Sequence, residues 1–259
     1  MIFLDRADAG RQLARRLSYL RDEDVVVLGL PRGGVVVALQ VAEAMDAPLD
    51  VIVVRKLGVP FQPELAMGAI GEGGVRIIDE AVVRATGVRA DEIIAVEAAE
   101  RVELDRRIAV LRGSRPPVSL AKRVAVVVDD GIATGSTARA ACRAARDLGA
   151  RRVVLAVPVA PPGWEARIGA AADELVTLAT PERFFAIGQF YDDFAQVSDA
   201  SVIACLERAA CSTRSGSTSV TDPAVPDLRR LAPASVPYRW MCSAPDVRPG
   251  SRSRDPESQ

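Results

Sequence analysis

The stretch VAVVVDDGIATGST covers Val124–Thr137. Its first five residues are apolar and mostly β-branched. A run that short and that apolar reads as a strand buried on both faces, the kind found in parallel sheets. It ends in two adjacent aspartates, Asp129 and Asp130. A loop of small residues follows. Then Ser136–Leu148 takes up a helical pattern, with Ala138, Ala141, Cys142, Ala145 and Leu148 on one face and Gly149 as the stop.

The same alternation extends along the chain. DVVVLGL (24–30), LDVIVVR (49–55), RVVLAVP (152–158) and ELVTLA (174–179) read as further strands, and Gly34–Met45 reads as a helix after the first. Strands alternating with amphipathic helices imply an α/β fold with right-handed crossovers and a parallel sheet. Two segments depart from this. KLGVPFQPELAMGAIGEGGVRII (56–78) reads as a loop followed by a hairpin around Gly71–Gly74. Residues 89–112 read as a long charged helix starting near Asp91, with a solvated face of Glu and Arg at spacings of three and four.

The totals narrow the chemistry. The chain has 259 residues, a net charge of −1 and no histidine. The charge balance suggests neither nucleic acid nor a membrane surface as partner. The opening MIFLDRADAGRQLARRL carries charges too early for a signal or a span. The four cysteines form no CxxC pair, which argues against zinc and disulfides and suits a reducing, cytoplasmic setting. Without histidine there is no Ser-His-Asp triad, no Cys-His pair and no His-bound metal. A hard cation held by carboxylates and phosphates stays open.

In open α/β sheets, ligands bind beyond the carboxyl ends of the strands. Asp129 and Asp130 sit at such an end. The following loop offers backbone N–H groups at a helix N-terminus, which suits a phosphate. Gly131 and Gly135 let the backbone approach closely. Two acids beside a phosphate cradle make sense if the ligand also carries hydroxyls, because carboxylates accept hydrogen bonds from a diol. Ribose 5-phosphate has that layout. The rival motifs fail. GIATGST has the wrong spacing and no Lys for a Walker A loop, and GxGxxG and GxSxG are absent. A plain helix cap from Asp130 or Thr134 would explain one side chain but not the whole string.

VVVDDGIATGST resembles the thirteen-residue signature for phosphoribosyl pyrophosphate (PRPP) in the type I phosphoribosyltransferases. That resemblance implies a Rossmann-like parallel sheet flanked by helices, with a small hood over the site. It implies that Asp129 and Asp130 hold the ribose hydroxyls. Gly131, Ala133, Thr134, Gly135, Ser136 and Thr137 would cradle the 5-phosphate. GLPRGGVVVA (29–38) resembles the family's pyrophosphate loop, which implicates Arg32, Gly33 and Gly34. Arg55 and Lys56, at the end of the second strand, stand where the family has a basic residue facing pyrophosphate. The Gly/Pro-rich segment after them stands where the family has a mobile loop.

TPERFFAIGQFYDDFAQVSD (180–199) would form the hood together with an N-terminal helix. Phe184, Phe185, Phe190, Tyr191 and Phe194 would either stack on an acceptor or make the hood's core. Asp192 and Asp193 would hold a cation or an acceptor N–H. Residues 1–210 also resemble a bacterial branch of the family that shares the FxDRxxAGxxLA opening, LPRGG, RKLGxPxxPELAxGAI and a YxDFxQVSD stretch.

The resulting expectation is a domain over residues 1–211 and a disordered tail over 212–259, with a short docking element at YRWM (238–241) as an option. The expected activity is Mg2+-dependent transfer of ribose 5-phosphate from PRPP to a nitrogenous, nucleobase-like acceptor, with pyrophosphate released. Mg2+ would be held mainly through PRPP, with no dedicated protein site. The alternative is a regulatory protein that binds PRPP or a nucleotide without transfer. A homodimer is expected from the family resemblance alone.

Overall fold

The computed structural model describes residues 2–215. Helix α1 (Arg6–Arg16) starts at Asp5, whose carboxylate accepts from the Asp8 N–H. Strand β1 (Val25–Gly29) leads into α2 (Gly33–Met45), then β2 (Leu49–Val51). The chain next builds β3 (Val54–Val59), β4 (Gln62–Gly71) and β5 (Arg76–Ile78). Helices α3 (Glu80–Thr86) and α4 (Ala90–Arg112) follow. Strand β6 (Val124–Val128) feeds α5 (Ser136–Asp147) and β7 (Arg152–Val159) feeds α6 (Trp164–Ile168). Strand β8 (Glu174–Ala179) precedes the hood, and α7 (Asp199–Ser215) closes the described chain.

Five strands form a parallel sheet in the order β2-β1-β6-β7-β8. Strands β2, β1, β6 and β7 are buried along their length, as their apolar runs predict, and the edge strand β8 is partly covered. Val25 and Val27 of β1, with Val124, Val126 and Val128 of β6, pack toward α1, α2 and α7. Val26 and Leu28, with Ala125 and Val127, pack toward the alanine face of α5. Period-2 alternation thus feeds two separate cores. The sheet is wound outward in both directions from the β1/β6 pair. The segments after β1 and after β6 therefore diverge around one crevice, the switch point where such sheets bind ligands.

The second expected strand, 49–55, is corrected by the structure. It breaks after Val51. Ile52 still donates to Gly29, but the Val53 N–H goes to the Glu72 carboxylate. The chain then leaves the parallel sheet. Residues 56–78 are also more than a loop and one hairpin. β3, β4 and β5 make a three-stranded antiparallel sheet, and the expected turn around Gly71–Gly74 joins β4 to β5. The glycines that resemble loop punctuation are there for close approach. A Cβ on Gly58 would lie 2.5 Å from the Pro63 carbonyl oxygen, and one on Gly68 would lie 2.3 Å from that of Ile77. Leu57, Val59, Met67 and Ile70 are buried in the core.

Helix α4 starts at Ala90, where the Glu92 side chain accepts from the Arg89 N–H. Its charged face is laced by Glu97–Arg101 and Glu103–Arg106 pairs, and Glu97 and Glu100 also reach Arg76 and Arg55 of the second sheet. Helix α7 runs to Ser215, past the domain boundary expected at 211. The remainder of the expected tail, with YRWM, lies outside the described residues. Among the described residues no helix is long and apolar enough to cross a membrane.

Candidate functional site

The acid pair and the Pro31–Gly34 loop meet at the β1/β6 switch point. Val128 accepts from the Leu30 N–H, which ties the two strand ends together. A Cβ on Gly33 would fall 1.8 Å from Asp130 Oδ2, and one on Gly34 would fall 2.7 Å from the Val128 carbonyl oxygen and 3.0 Å from Asp129 Oδ1. Gly33 and Gly34 are therefore glycine because the acids occupy the space a side chain would need. Two motifs about a hundred residues apart in sequence form one surface.

The acids are held by specific partners. Asp129 Oδ1 accepts from the Asp130 N–H at 2.9 Å. Asp130 Oδ2 accepts from Arg6 Nε at 2.8 Å. Burial raises the Asp129 carboxyl well above the usual range, and the neighbouring Asp130 charge adds to this. Burial raises Asp130 as well, and the Arg6 guanidinium opposes the rise. Neither Asp130 nor Thr134 caps α5. The helix starts at Gly135 with φ 84°, and no side chain bonds to its first N–H groups. Those donors remain on offer, as an anion site requires.

The loop is fixed from below and open above. Ile132 is buried, with its N–H on the Val159 carbonyl. The Ala133 carbonyl accepts from Arg167 of α6 at 2.8 Å. Ala133, Thr134, Ser136 and Thr137 are exposed. Thr137 shares a cleft of about 680 Å³ with Arg55 and Lys56 of β3. These two basic residues thus share a cleft with the Gly131–Thr137 loop from inside β3 rather than from the end of a core strand. Arg55 pairs with Glu100 at 2.7 Å and Lys56 with Glu64 at 3.2 Å. Arg32 lies 3.9 Å from Asp199, the first residue of α7.

The hood is built from both ends of the domain. Phe3 pairs with Tyr191 as a β-bridge, and the Asp192 and Asp193 N–H groups donate to Phe3 and Leu4. Phe3, Phe190 and Tyr191 are buried together, with Phe184 and Phe194 packed against them. Tyr191 also donates its hydroxyl to the Asp130 carbonyl oxygen at 2.6 Å. Burial and the two nearby carboxylates push its phenol upward, so it stays a donor. Of the residues expected at an acceptor, Phe184 and Tyr191 thus serve the hood's core, Phe185 is 89% exposed, and Asp192 is exposed.

Sequence reasoning missed Arg6 and Arg167. The DR of the opening motif was the available signal for Arg6. Nothing local marks Arg167.

The phosphoribosyl transferase domain model matches residues 4–195, a span that contains Arg6, the Pro31–Gly34 loop, the acid pair and the loop through Thr137. The chain belongs to the phosphoribosyl transferase domain family. Within that family it is 59% identical over 208 residues to a Mycobacterium tuberculosis H37Rv protein provisionally named a phosphoribosyl transferase, and equally so to its counterpart in strain CDC 1551. The match covers 80% of this chain and 47% of each relative, so the chain spans about half the length of these curated relatives. The crystal structure of TT1426 from Thermus thermophilus superposes with a TM-score of 0.71 at 44% identity, over 80% of this chain and 99% of that one. The parallel sheet flanked by helices is the fold of type I phosphoribosyltransferases.

Proposed function

We propose that the chain transfers ribose 5-phosphate from PRPP to a nitrogenous acceptor and releases pyrophosphate. The observation that carries this reading is the contact between the Gly33–Gly34 loop and the Asp129–Asp130 pair, which would set a pyrophosphate next to a ribose diol. The uncapped first turn of α5, from Ser136, would take the 5-phosphate. Arg32 is suited to bidentate binding of phosphate oxygens, and Lys56 to a point contact.

Displacement at the sugar carbon passes through an oxocarbenium-like state, so the residues mainly position reactants and balance charge. A fold without histidine can do this. Among the described residues no group of three or more Asp, Glu, Cys or His side chains gathers to cage a metal. Mg2+ would therefore be held mainly through the oxygens of PRPP, without a dedicated protein site. Bound there, Mg2+ would neutralise the departing pyrophosphate. On the acceptor side, Phe185 and Asp192 are the exposed hood residues left to meet a base.

Titration calorimetry with PRPP and mass detection of pyrophosphate across a panel of nucleobases test the reading. The wild-type chain should bind PRPP and release pyrophosphate with at least one base. The Asp129→Asn/Asp130→Asn double variant should do neither. PRPP binding undiminished in that variant would overturn the site. Binding by the wild-type chain without release for any base would favour a PRPP-sensing regulator instead.

A further inference from the structure

Arg6 is the second residue of the DR pair in the opening motif and the first of α1. Its side chain is 11% exposed, and that of its partner Asp130 is 13%. Three segments converge on the guanidinium. Nε donates to Asp130 Oδ2 at 2.8 Å. Nη1 donates to the Ala195 carbonyl at 2.8 Å, across 189 positions of sequence. The central carbon sits 3.8 Å above the Phe194 ring centroid, within cation–π range. A Cβ on Gly33 would come within 2.8 Å of Nε, so the Pro31–Gly34 loop rests on the same group.

An exposed ion pair is worth little; a pair this shielded from water adds little net stability but is strict in geometry and costly to break from one side. The charges at this point are the Asp129 and Asp130 carboxyls and Arg6. The Tyr191 hydroxyl is spent on the Asp130 carbonyl, and Arg32, from the loop, points to Asp199. One cation therefore faces two acids that burial discourages from ionising. With Oδ2 taken by Arg6, the acceptor left on the Asp130 side chain is Oδ1.

We propose that Arg6 is a positioning residue of the ribose site, holding Asp130 by Oδ2 and turning Oδ1 toward a sugar hydroxyl, while Phe194 and Ala195 of the hood hold Arg6. This rests on reading Asp129–Asp130 as a diol grip. It explains why the opening FLDRADAG and the YDDFAQVSD stretch belong to one device: the first supplies the cation and the second clamps it.

The test uses Arg6→Lys and Arg6→Gln in the full chain. Calorimetric PRPP affinity is followed from mildly acidic to mildly alkaline pH, and the Asp carboxyl 13C resonances are titrated without ligand. In Arg6→Gln, the carboxyl resonances should titrate at higher pH than in the wild type. PRPP should bind at least about tenfold more weakly at neutral pH, one unit of titration being a tenfold change in ionisation. Affinity should recover as pH rises. Arg6→Lys keeps the charge and should restore the wild-type pH profile at intermediate affinity.

A wild-type carboxyl titration in Arg6→Gln would overturn the proposal. So would a loss of affinity that is constant with pH and tracks a lowered melting temperature, because that is the mark of a merely structural arginine. Failure of the wild-type chain to bind PRPP, with the shifted titration intact, would sink the ribose reading itself and the ribose-site role with it.

Discussion

Asp129 and Asp130 are chain neighbours with different surroundings, and removing their charges should change stability by different amounts. Asp129 has no cation of its own. Its carboxyl is raised by burial and by Asp130, so the folded chain binds that proton more readily than the unfolded chain. Stability is then gained as pH falls through the raised value and lost as pH rises past it. Asp129→Asn removes the charge, and its amide oxygen can still accept from the Asp130 N–H. It should stabilise the unliganded chain by about 0.5–2 kcal/mol at neutral pH, the usual return for relieving a strained functional site. Asp130→Asn should return less. It leaves Arg6, which is 11% exposed, without its carboxylate, and that loss offsets part of the relief. Differential scanning calorimetry at neutral pH separates the two. Equal shifts of the same sign would show that Arg6 does not distinguish the acids.

At the level of elements, the parallel sheet was legible because its inner strands are short apolar runs buried along their length and the helices after β1 and β6 carry apolar residues at helical spacing. The antiparallel sheet was hidden for a physical reason. β4 reads as a loop because its glycines and prolines mimic turn chemistry, while Gly58 and Gly68 in fact admit neighbouring backbone at distances no side chain allows. Registers shift on both sides of Gly58, so no clean alternation survives in β3. The second strand was over-extended because LDVIVVR is apolar throughout, and only the distant Glu72 carboxylate draws Val53 out of the ladder. Gly68→Ala tests this account. A Cβ 2.3 Å from the Ile77 carbonyl oxygen must push β5 away, at a cost of about 1–3 kcal/mol. Amide exchange should speed up in β4 and β5 and stay unchanged in the β1/β6 pair. Uniform acceleration would mean that the small sheet does not move on its own.

At the scale of the whole molecule, the parts of the site were legible and their linkage was not. Signature, Pro31–Gly34 loop and hood each carry a local pattern, but the Arg6–Asp130 contact spans 124 positions and leaves no periodicity. Arg112 makes the same point about stability. It reads as one more charge on a solvated helix, yet it is 8% exposed at the end of α4. It bonds Asp50 of β2 at 3.1 Å, Glu72 between β4 and β5 at 2.9 Å, and the Val51 carbonyl at 3.1 Å. The two sheets and the longest helix thus meet on one guanidinium where the chain changes sheets. A buried network of this kind adds little over apolar packing but is costly to break from one side. Arg112→Ala leaves two enclosed carboxylates beside a cavity of about 410 Å³ and should cost about 3–5 kcal/mol in urea unfolding at neutral pH. Replacing all three together, Asp50→Asn, Glu72→Gln and Arg112→Met, should recover most of the loss. A triple variant no more stable than Arg112→Ala would mean that Arg112 acts through its packed stem, and that charge does not join the sheets.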